Sequence, residues 1–237
     1  MCGLRQMLIE GNNLSFKYPH TDAYVFRDLI FEIPGPGFHS LFGPSGAGKT
    51  TLAKIISGEI NTHTGHISTS NGQGRIFYSY NLERLPPWCS VGEHLKEVAP
   101  PSNKDKLHDL THQFGLEPCL NGRFAQLSLG QQNRANLVRY LLQDFDLLIM
   151  DESLANVDEG TKEHIILKTK DMFPTRSFLY ISHNVLEVSK FCDHILVLRS
   201  PRKIPQAISV KGQDHRAGSP AVKKDLESTM LEVVHAI

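Results

Sequence analysis

The stretch GPSGAGKT, Gly43 to Thr50, constrains this chain more than any other. It is preceded by the apolar run FHSLF and followed by KTTLAKIISGE, in which Leu52, Ile55 and Ile56 share a helical face and Gly58 is a stop signal. A buried strand, a glycine-rich turn and a helix in that order fit the G-x-x-x-x-G-K-[ST] phosphate loop in its required context. Glycines let backbone N–H groups turn toward a phosphate chain. The helix N-terminus adds a fixed partial positive charge. Lys49 is then placed to reach β- and γ-phosphates, and the Thr50 hydroxyl to ligate Mg²⁺. The nucleotide-lining residues expected from this loop are Gly43, Pro44, Ser45, Gly46, Ala47, Gly48, Lys49, Thr50 and Thr51.

A second feature follows from the first. FDLLIMDE and SFLYISH are continuous apolar runs of strand length, the pattern of parallel strands buried on both faces. The first ends in Asp151 and Glu152. Ligands bind at the carboxyl ends of strands in open parallel sheets. Asp151 is expected to hold Mg²⁺ through water, and Glu152 to lie beside the terminal phosphate and polarise the attacking water.

The rest of the chain organises around this α/β core. MLIEGNNLSFKY reads as β structure alternating about an Asn-Asn turn, and GHISTSNGQGRIFYSY as a second strand pair. From about Asn81 to Leu142 the texture is helical, in VGEHLKEV, KDKLHDLTHQFGL and QQNRANLVRYLLQ. Residues 1–80 and 143–200 are therefore read as the α/β core, 81–142 as an inserted helical subdomain, and 201–237 as a C-terminal extension ending in an amphipathic helix. Together they make one domain of 237 residues. With 25 Lys+Arg against 25 Asp+Glu, no global field points to nucleic acid. The four cysteines are scattered without a CxxC, which argues against a zinc site or a disulfide framework. No stretch reaches the roughly 18 apolar residues of a membrane span, and the start lacks a signal-peptide pattern.

Taken together, these residues resemble the ATP-binding cassette (ABC) family, because further motifs appear in that family's order. LSLGQQ, Leu127 to Gln132, resembles the signature LSGGQ. LANVD, ending at Asp158, resembles the D-loop. YISHN places His183 as the switch histidine, and SFKYP places Tyr18 where an aromatic ring stacks on adenine. YNLERLPPWCSVGEHL resembles the Q-loop region, with Asn81 in the glutamine's place. The resemblance implies a P-loop NTPase core with an N-terminal antiparallel β subdomain and an inserted α-helical subdomain. It also implies ATP and Mg²⁺ as ligands, with Thr50, Asn81 and Asp151 around the metal and Glu152, His183 and Lys49 as the catalytic set. Ser128, Leu129, Gly130 and Gln131 would then face the nucleotide of a second cassette in a head-to-tail homodimer or similar pair. Local chemistry alone reads Ser128 as a helix N-cap, which is compatible.

The same resemblance implies a transporter ATPase at the inner face of the cell membrane, working with permease subunits and indirectly with a solute-binding protein. RLPPWCSVGEHL and LVLRSPRKIPQAISV are similar to segments of the nitrate/sulfonate/taurine importers, which implies import of a small anion or sulfonate-like solute. The alternatives are an exporter or lipoprotein-release ATPase, or a non-transport soluble ABC ATPase. Four positions depart from the family pattern: Leu129 for the first signature Gly, Asn81 for Gln, Ser153 for Pro after the Glu, and Asn184 for Asp after the His. None removes a catalytic group, so an active ATPase is expected. His108 and His112 have i,i+4 spacing but no nearby ligand partners, and are read as a solvated helix face. His63 and His66 are read as surface residues of a turn. Trp88, the only Trp, is either a buried anchor or part of a patch that receives a partner's helix.

Overall fold

The computed structural model describes residues 8–69, 74–219 and 222–237. Two β-sheets share one interior. Strands β1 (Ile9–Phe16), β2 (Phe26–Ile33) and β4 (Thr64–Thr69) form an antiparallel sheet in the order β2-β1-β4. Strands β3 (Gly37–Phe42), β5 (Ile76–Tyr80), β6 (Leu147–Asp151), β7 (Ser177–Ile181), β8 (His194–Leu198) and β9 (Ala207–Lys211) form the main sheet, ordered β5-β6-β7-β3-β8-β9. Its first five strands are mutually parallel, and β9 closes the edge antiparallel to β8.

The apolar runs work as two interleaved stripes, because successive side chains on a strand point to opposite faces. Leu147, Ile149, Leu179 and Ile181 enter one core with Leu52 and Ile55 of α1 (Lys49–Ile56) and with Ile9, Leu14 and Phe26 of the small sheet. Leu148, Met150, Phe178 and Tyr180 enter the other. That second core is covered by α2 (Val91–Val98), α4 (Leu129–Leu141), α5 (Glu159–Met172) and α6 (Val185–Phe191). It extends to Leu110 of α3 (Lys104–Gln113) and Val233 of α7 (Lys223–Ala236). A strand buried on both faces can carry no polar alternation, which is why these runs are continuously apolar in sequence.

Two local expectations are corrected. Asn12-Asn13 is not a turn between strands: β1 runs straight through it, and the register against β4 shifts between Asn12 and Ser15. Asn13 takes φ 51° there, the left-handed conformation that Asn tolerates in a bulge. Nor do β4 and β5 pair with each other; one lies in each sheet, and the chain crosses between them. Residues 70–73, in the middle of that stretch, lie outside the described residues, as does Cys2. His66 sits on β4 itself rather than in a turn, and is exposed. Trp88 is 77% exposed, so the buried-anchor reading is wrong.

Candidate active site

The phosphate loop joins β3 to α1, and each end is fixed by a contact only glycine permits. A Cβ at Gly43 would lie 2.3 Å from the Leu198 carbonyl oxygen on β8. Gly48, at φ 96°, caps α1 with Val25 Cγ1 2.6 Å from where its Cβ would be. Between them Pro44, Ser45 and Gly46 are exposed, while Ala47 is buried and its N–H donates to the Pro44 carbonyl at 3.2 Å. Lys49 is the first residue of α1, and its Nζ donates to the carbonyls of Gly43 (2.9 Å) and Pro44 (3.0 Å) inside the loop. Burial lowers the Lys49 pKa, opposed by the nearby Asp151 and Glu152 carboxylates.

Asp151 ends β6 next to this loop and is buried. Its Oδ2 accepts hydrogen bonds from Thr50 Oγ1 and from Tyr78 Oη, each 2.8 Å. The Thr50 hydroxyl and a buried carboxylate are hard oxygen donors, the chemistry Mg²⁺ requires. They open onto a cavity of about 330 Å³ lined also by Lys54, Tyr80, Asn81 and Glu152. Burial and the Asp151 hydrogen bond push the Tyr78 phenol far above its ordinary pKa, so it remains a donor.

Glu152 follows Asp151 at φ 52°, a conformation that costs a non-glycine residue energy and that clusters at functional sites. Its N–H donates to the Ile181 carbonyl at 3.1 Å, which ties the turn to the end of β7. His183 lies just beyond β7. Its Nε2 is 2.7 Å from Glu152 Oε1. Both side chains are partly open to solvent. Tyr18 reaches the same region from the other side of the loop, its hydroxyl 2.8 Å from Thr51 Oγ1 and its ring edge-on to Phe16.

Asn81 follows β5, and its N–H donates to the Asp151 carbonyl at 3.1 Å. Its side-chain oxygen accepts from Asn133 of α4 and from Asn156, each at 3.0 Å, so in this conformation it faces amides and not the Thr50–Asp151 pair. Ser153 occupies the departure from Pro by donating to both the Ser79 carbonyl (3.1 Å) and hydroxyl (3.0 Å). Asn184 takes the departure from Asp by capping α6, accepting from the N–H groups of Leu186 and Glu187.

The remaining signature and D-loop residues lie apart from the phosphate loop. Ser128 caps α4 in a reciprocal box with Gln131: Ser128 Oγ accepts from the Gln131 N–H at 3.3 Å, and Gln131 Oε1 from the Ser128 N–H at 2.8 Å. Leu129 is 50% exposed. A Cβ at Gly130 would lie 2.5 Å from the Asn156 carbonyl, so the signature helix leans directly on the D-loop of its own chain. Asp158 caps α5, accepting from the Thr161 N–H at 2.9 Å. No hydrogen bond among the described residues joins Ser128, Leu129, Gly130, Gln131 or Asp158 to the phosphate loop.

Sequence reasoning passed over Tyr78, Ser79, Asn133 and Asn156. Each is polar in a segment already assigned to a strand, helix or loop, and only the third dimension brings Tyr78 to Asp151, Asn133 and Asn156 to Asn81, and Ser79 to Ser153. His108 and His112 stack at 6.4 Å, with His112 Nδ1 3.0 Å from Glu117 Oε2. No group of three metal-ligating side chains occurs among the described residues.

Comparison with known proteins agrees with this geometry. The family model described as "ABC transporter" matches residues 26–155. The molybdenum import ATP-binding protein ModC of Vibrio cholerae is 32% identical over 72% of this chain and 51% of its own length. ModC of Photorhabdus laumondii is 31% identical over 78% of this chain and 56% of its own. The chain thus spans about half the length of the curated relatives it matches. A bacterial Atm1-family ABC exporter solved with ATP bound superposes with a TM-score of 0.75 at 20% identity, over 85% of this chain and 38% of that one, which establishes the shared fold. The expected closer likeness to the nitrate/sulfonate/taurine importers is not what these relatives' names carry. With a glycine-rich phosphate loop, an acidic strand end and His183 in the family's order and a fold shared with an ABC exporter, this chain belongs to the ABC transporter family as an ATP-binding cassette.

Proposed function

We propose that this cassette hydrolyses ATP to energise an importer, and that the catalytic work falls to Glu152, His183 and Lys49. The observation that carries this reading is the 2.7 Å contact between His183 Nε2 and Glu152 Oε1, one residue from the Thr50–Asp151 pair. Within the loop the Lys49 ammonium is satisfied by two carbonyls. A nucleotide's phosphates displace those weaker partners with charge-assisted bonds. The loop's N–H groups and the start of α1 hold the same phosphates. Tyr18 presents its ring to the base. Thr50 and Asp151, with Asn81 once it leaves Asn133 and Asn156, are the residues to hold Mg²⁺, which when bound neutralises charge on the phosphate oxygens. Glu152 takes the proton of the attacking water, and His183 holds that carboxylate in line.

The reading extends to the partners. Ser128, Leu129, Gly130 and Gln131 lie apart from their own loop, as they must if they complete the site of a second cassette packed head-to-tail. Permease subunits, and through them a solute-binding protein, complete the transporter at the inner, cytoplasmic face of the membrane; no helix of the described residues is long and apolar enough to cross it. The relatives named for molybdenum import favour an importer, with a small anion as its solute, over an exporter.

The test compares Glu152→Gln and Lys49→Ala with wild type. Glu152→Gln should bind ATP with unchanged affinity and lose about 10²–10⁴-fold in kcat, the usual contribution of a positioned general base. Lys49→Ala should lose both binding and turnover. Near-normal turnover by either variant removes that residue from the catalytic set.

A further inference from the structure

Behind the Glu152–His183 pair lies a buried ionic cluster that no motif accounts for. A cavity of about 220 Å³ is lined by Glu152 and His183 on one side and by Lys162, Tyr180, Ser182 and Glu187 on the other. Glu187 sits in the first turn of α6. Its Oε2 accepts from the Ser182 hydroxyl at 2.7 Å and from the Tyr180 phenol at 2.8 Å. Its Oε1 accepts from Lys162 Nζ at 2.7 Å, an ion pair with side chains only 15% and 10% exposed. Burial opposes ionisation of Glu187, but the bonds from Lys162, Ser182 and Tyr180 overcome it and hold the carboxyl below its ordinary pKa.

The connections of this cluster run to both sides of the site. Ser182 Oγ donates to Glu187 and accepts from the Asn184 N–H at 3.1 Å, so the residues on either side of His183 are bracketed by one hydroxyl. Asn184 is in turn the cap of α6, and its side-chain amide lies 3.4 Å from Glu187 Oε1. Lys162 belongs to α5, which Asp158 caps at the end of the D-loop. One carboxylate therefore ties the backbone that presents His183 to the helix that carries the D-loop. A charged group this buried would be a net cost to stability as an isolated ornament. Its hydrogen bonds instead lock a turn whose histidine must stay within contact of a base, and such positioning shells set reactive geometry.

Resting on the ATPase reading above, we infer that Glu187, held by Lys162, is a positioning residue that fixes His183 against Glu152 through Ser182 and Asn184. The proton-transfer geometry of the site is then set in part by a carboxylate that never touches nucleotide.

The test exploits two hydroxyls that donate to the same oxygen of Glu187 but lead to different places. Ser182→Ala cuts the connection to the His183 turn; Tyr180→Phe removes one donor from Glu187 but leaves Lys162, Ser182 and Asn184 holding it, so the tie to that turn remains. Each variant is assayed for thermal stability, for kcat and KM with MgATP, and for the ¹⁵N and ¹H shifts of the His183 ring. Both should lose stability to a similar extent. Ser182→Ala should lose about tenfold or more in kcat with KM within twofold of wild type and should shift the His183 ring signals, whereas Tyr180→Phe keeps kcat within about threefold and leaves those signals in place. Lys162→Met should resemble Ser182→Ala, and pairing it with Glu187→Gln should restore part of the lost kcat because no charge is left buried alone. If the two hydroxyl variants lose kcat in proportion to their stability, or neither moves the His183 signals, Glu187 is structural and the inference is overturned. Absence of turnover in the wild-type protein overturns the ATPase reading instead. The ring shifts still decide the positioning claim in that case.

Discussion

His39 makes stability depend on pH in a way that can be worked out from its surroundings. It lies on β3, three residues before the strand runs out into the phosphate loop, and is 1% exposed. Neither ring nitrogen has a hydrogen-bond partner, and its nearest ring neighbour is His194 at 5.8 Å. Burial lowers its pKa to about 4; Asp193 and Asp214 pull the other way, and His194 adds to the lowering. In the unfolded chain the same ring titrates near about 6.5. Between those values the unfolded state binds more protons than the folded one, so stability falls as pH falls and the loss is complete below about pH 4. The two-pKa expression gives a penalty of about 0.2 kcal/mol at pH 7 and about 2 kcal/mol at pH 5. His39→Leu replaces the ring by an apolar group of similar size and removes this titration. Urea unfolding followed by far-UV circular dichroism, at pH 7 and pH 5, yields the double difference between the two proteins, in which the other histidines cancel. Wild type should lose about 1.8 kcal/mol more than His39→Leu between those pH values, a relative midpoint shift of roughly 0.7 M urea at an m-value of about 2.5 kcal/mol/M. Equal pH dependence in the two proteins, within about 0.5 kcal/mol, would refute the argument that an unpartnered, buried imidazole stays neutral in this core.

Three further outcomes follow from the geometry. Gly130→Ala drives a Cβ to 2.5 Å from the Asn156 carbonyl, a backbone atom that cannot swing aside; it should lower stability by about 1–3 kcal/mol, and a melting temperature equal to wild type would show that the helix start yields freely. Lys170 Nζ donates to the Phe191 and His215 carbonyls at 2.8 Å each and pairs with Asp214 at 2.7 Å. Lys170→Met should therefore cost roughly 2–4 kcal/mol and speed amide exchange in residues 213–215 ahead of the rest of the chain. Tyr18→Ala should raise the KM for ATP with kcat nearly unchanged, because a stacking contact made equally in ground and transition states is uniform binding; a fall in kcat at constant KM, read by steady-state kinetics, contradicts it.

The phosphate loop and the acidic strand end are legible in sequence because each depends on a local rule, whereas His183 stands out only by its resemblance to the family's histidine motif. A glycine is needed where φ is positive or a carbonyl approaches closely, a lysine opens a helix behind it, and a continuous apolar run marks a strand covered on both faces. Those rules act over a few residues, and the linear chain displays them. The misread segments failed where local and long-range preferences differ. Asn12-Asn13 has turn chemistry, yet pairing with β2 and β4 on both sides holds it in one bulged strand. GHISTS and RIFYSY each have β character, but nothing local says that they belong to different sheets.

By itself, then, the sequence determined the order of the elements and the family motifs they carry: Gly43 to Thr50, Asp151 and Glu152 stand out by spacing and flanks, and His183 by its likeness to the family's motif. Only the tertiary structure decided what surrounds them. Tyr78 reaches Asp151 on the neighbouring strand, Asn156 and Asn133 meet on Asn81, Gly130 rests on the Asn156 carbonyl, and Lys162 crosses from α5 to neutralise Glu187 behind the histidine. Hydrogen bonds and ion pairs act over about 3 Å of space whatever the separation along the chain. Residues 25 or 73 positions apart, such as Lys162 with Glu187 or Tyr78 with Asp151, become partners only when the parallel sheet and its flanking helices set them side by side.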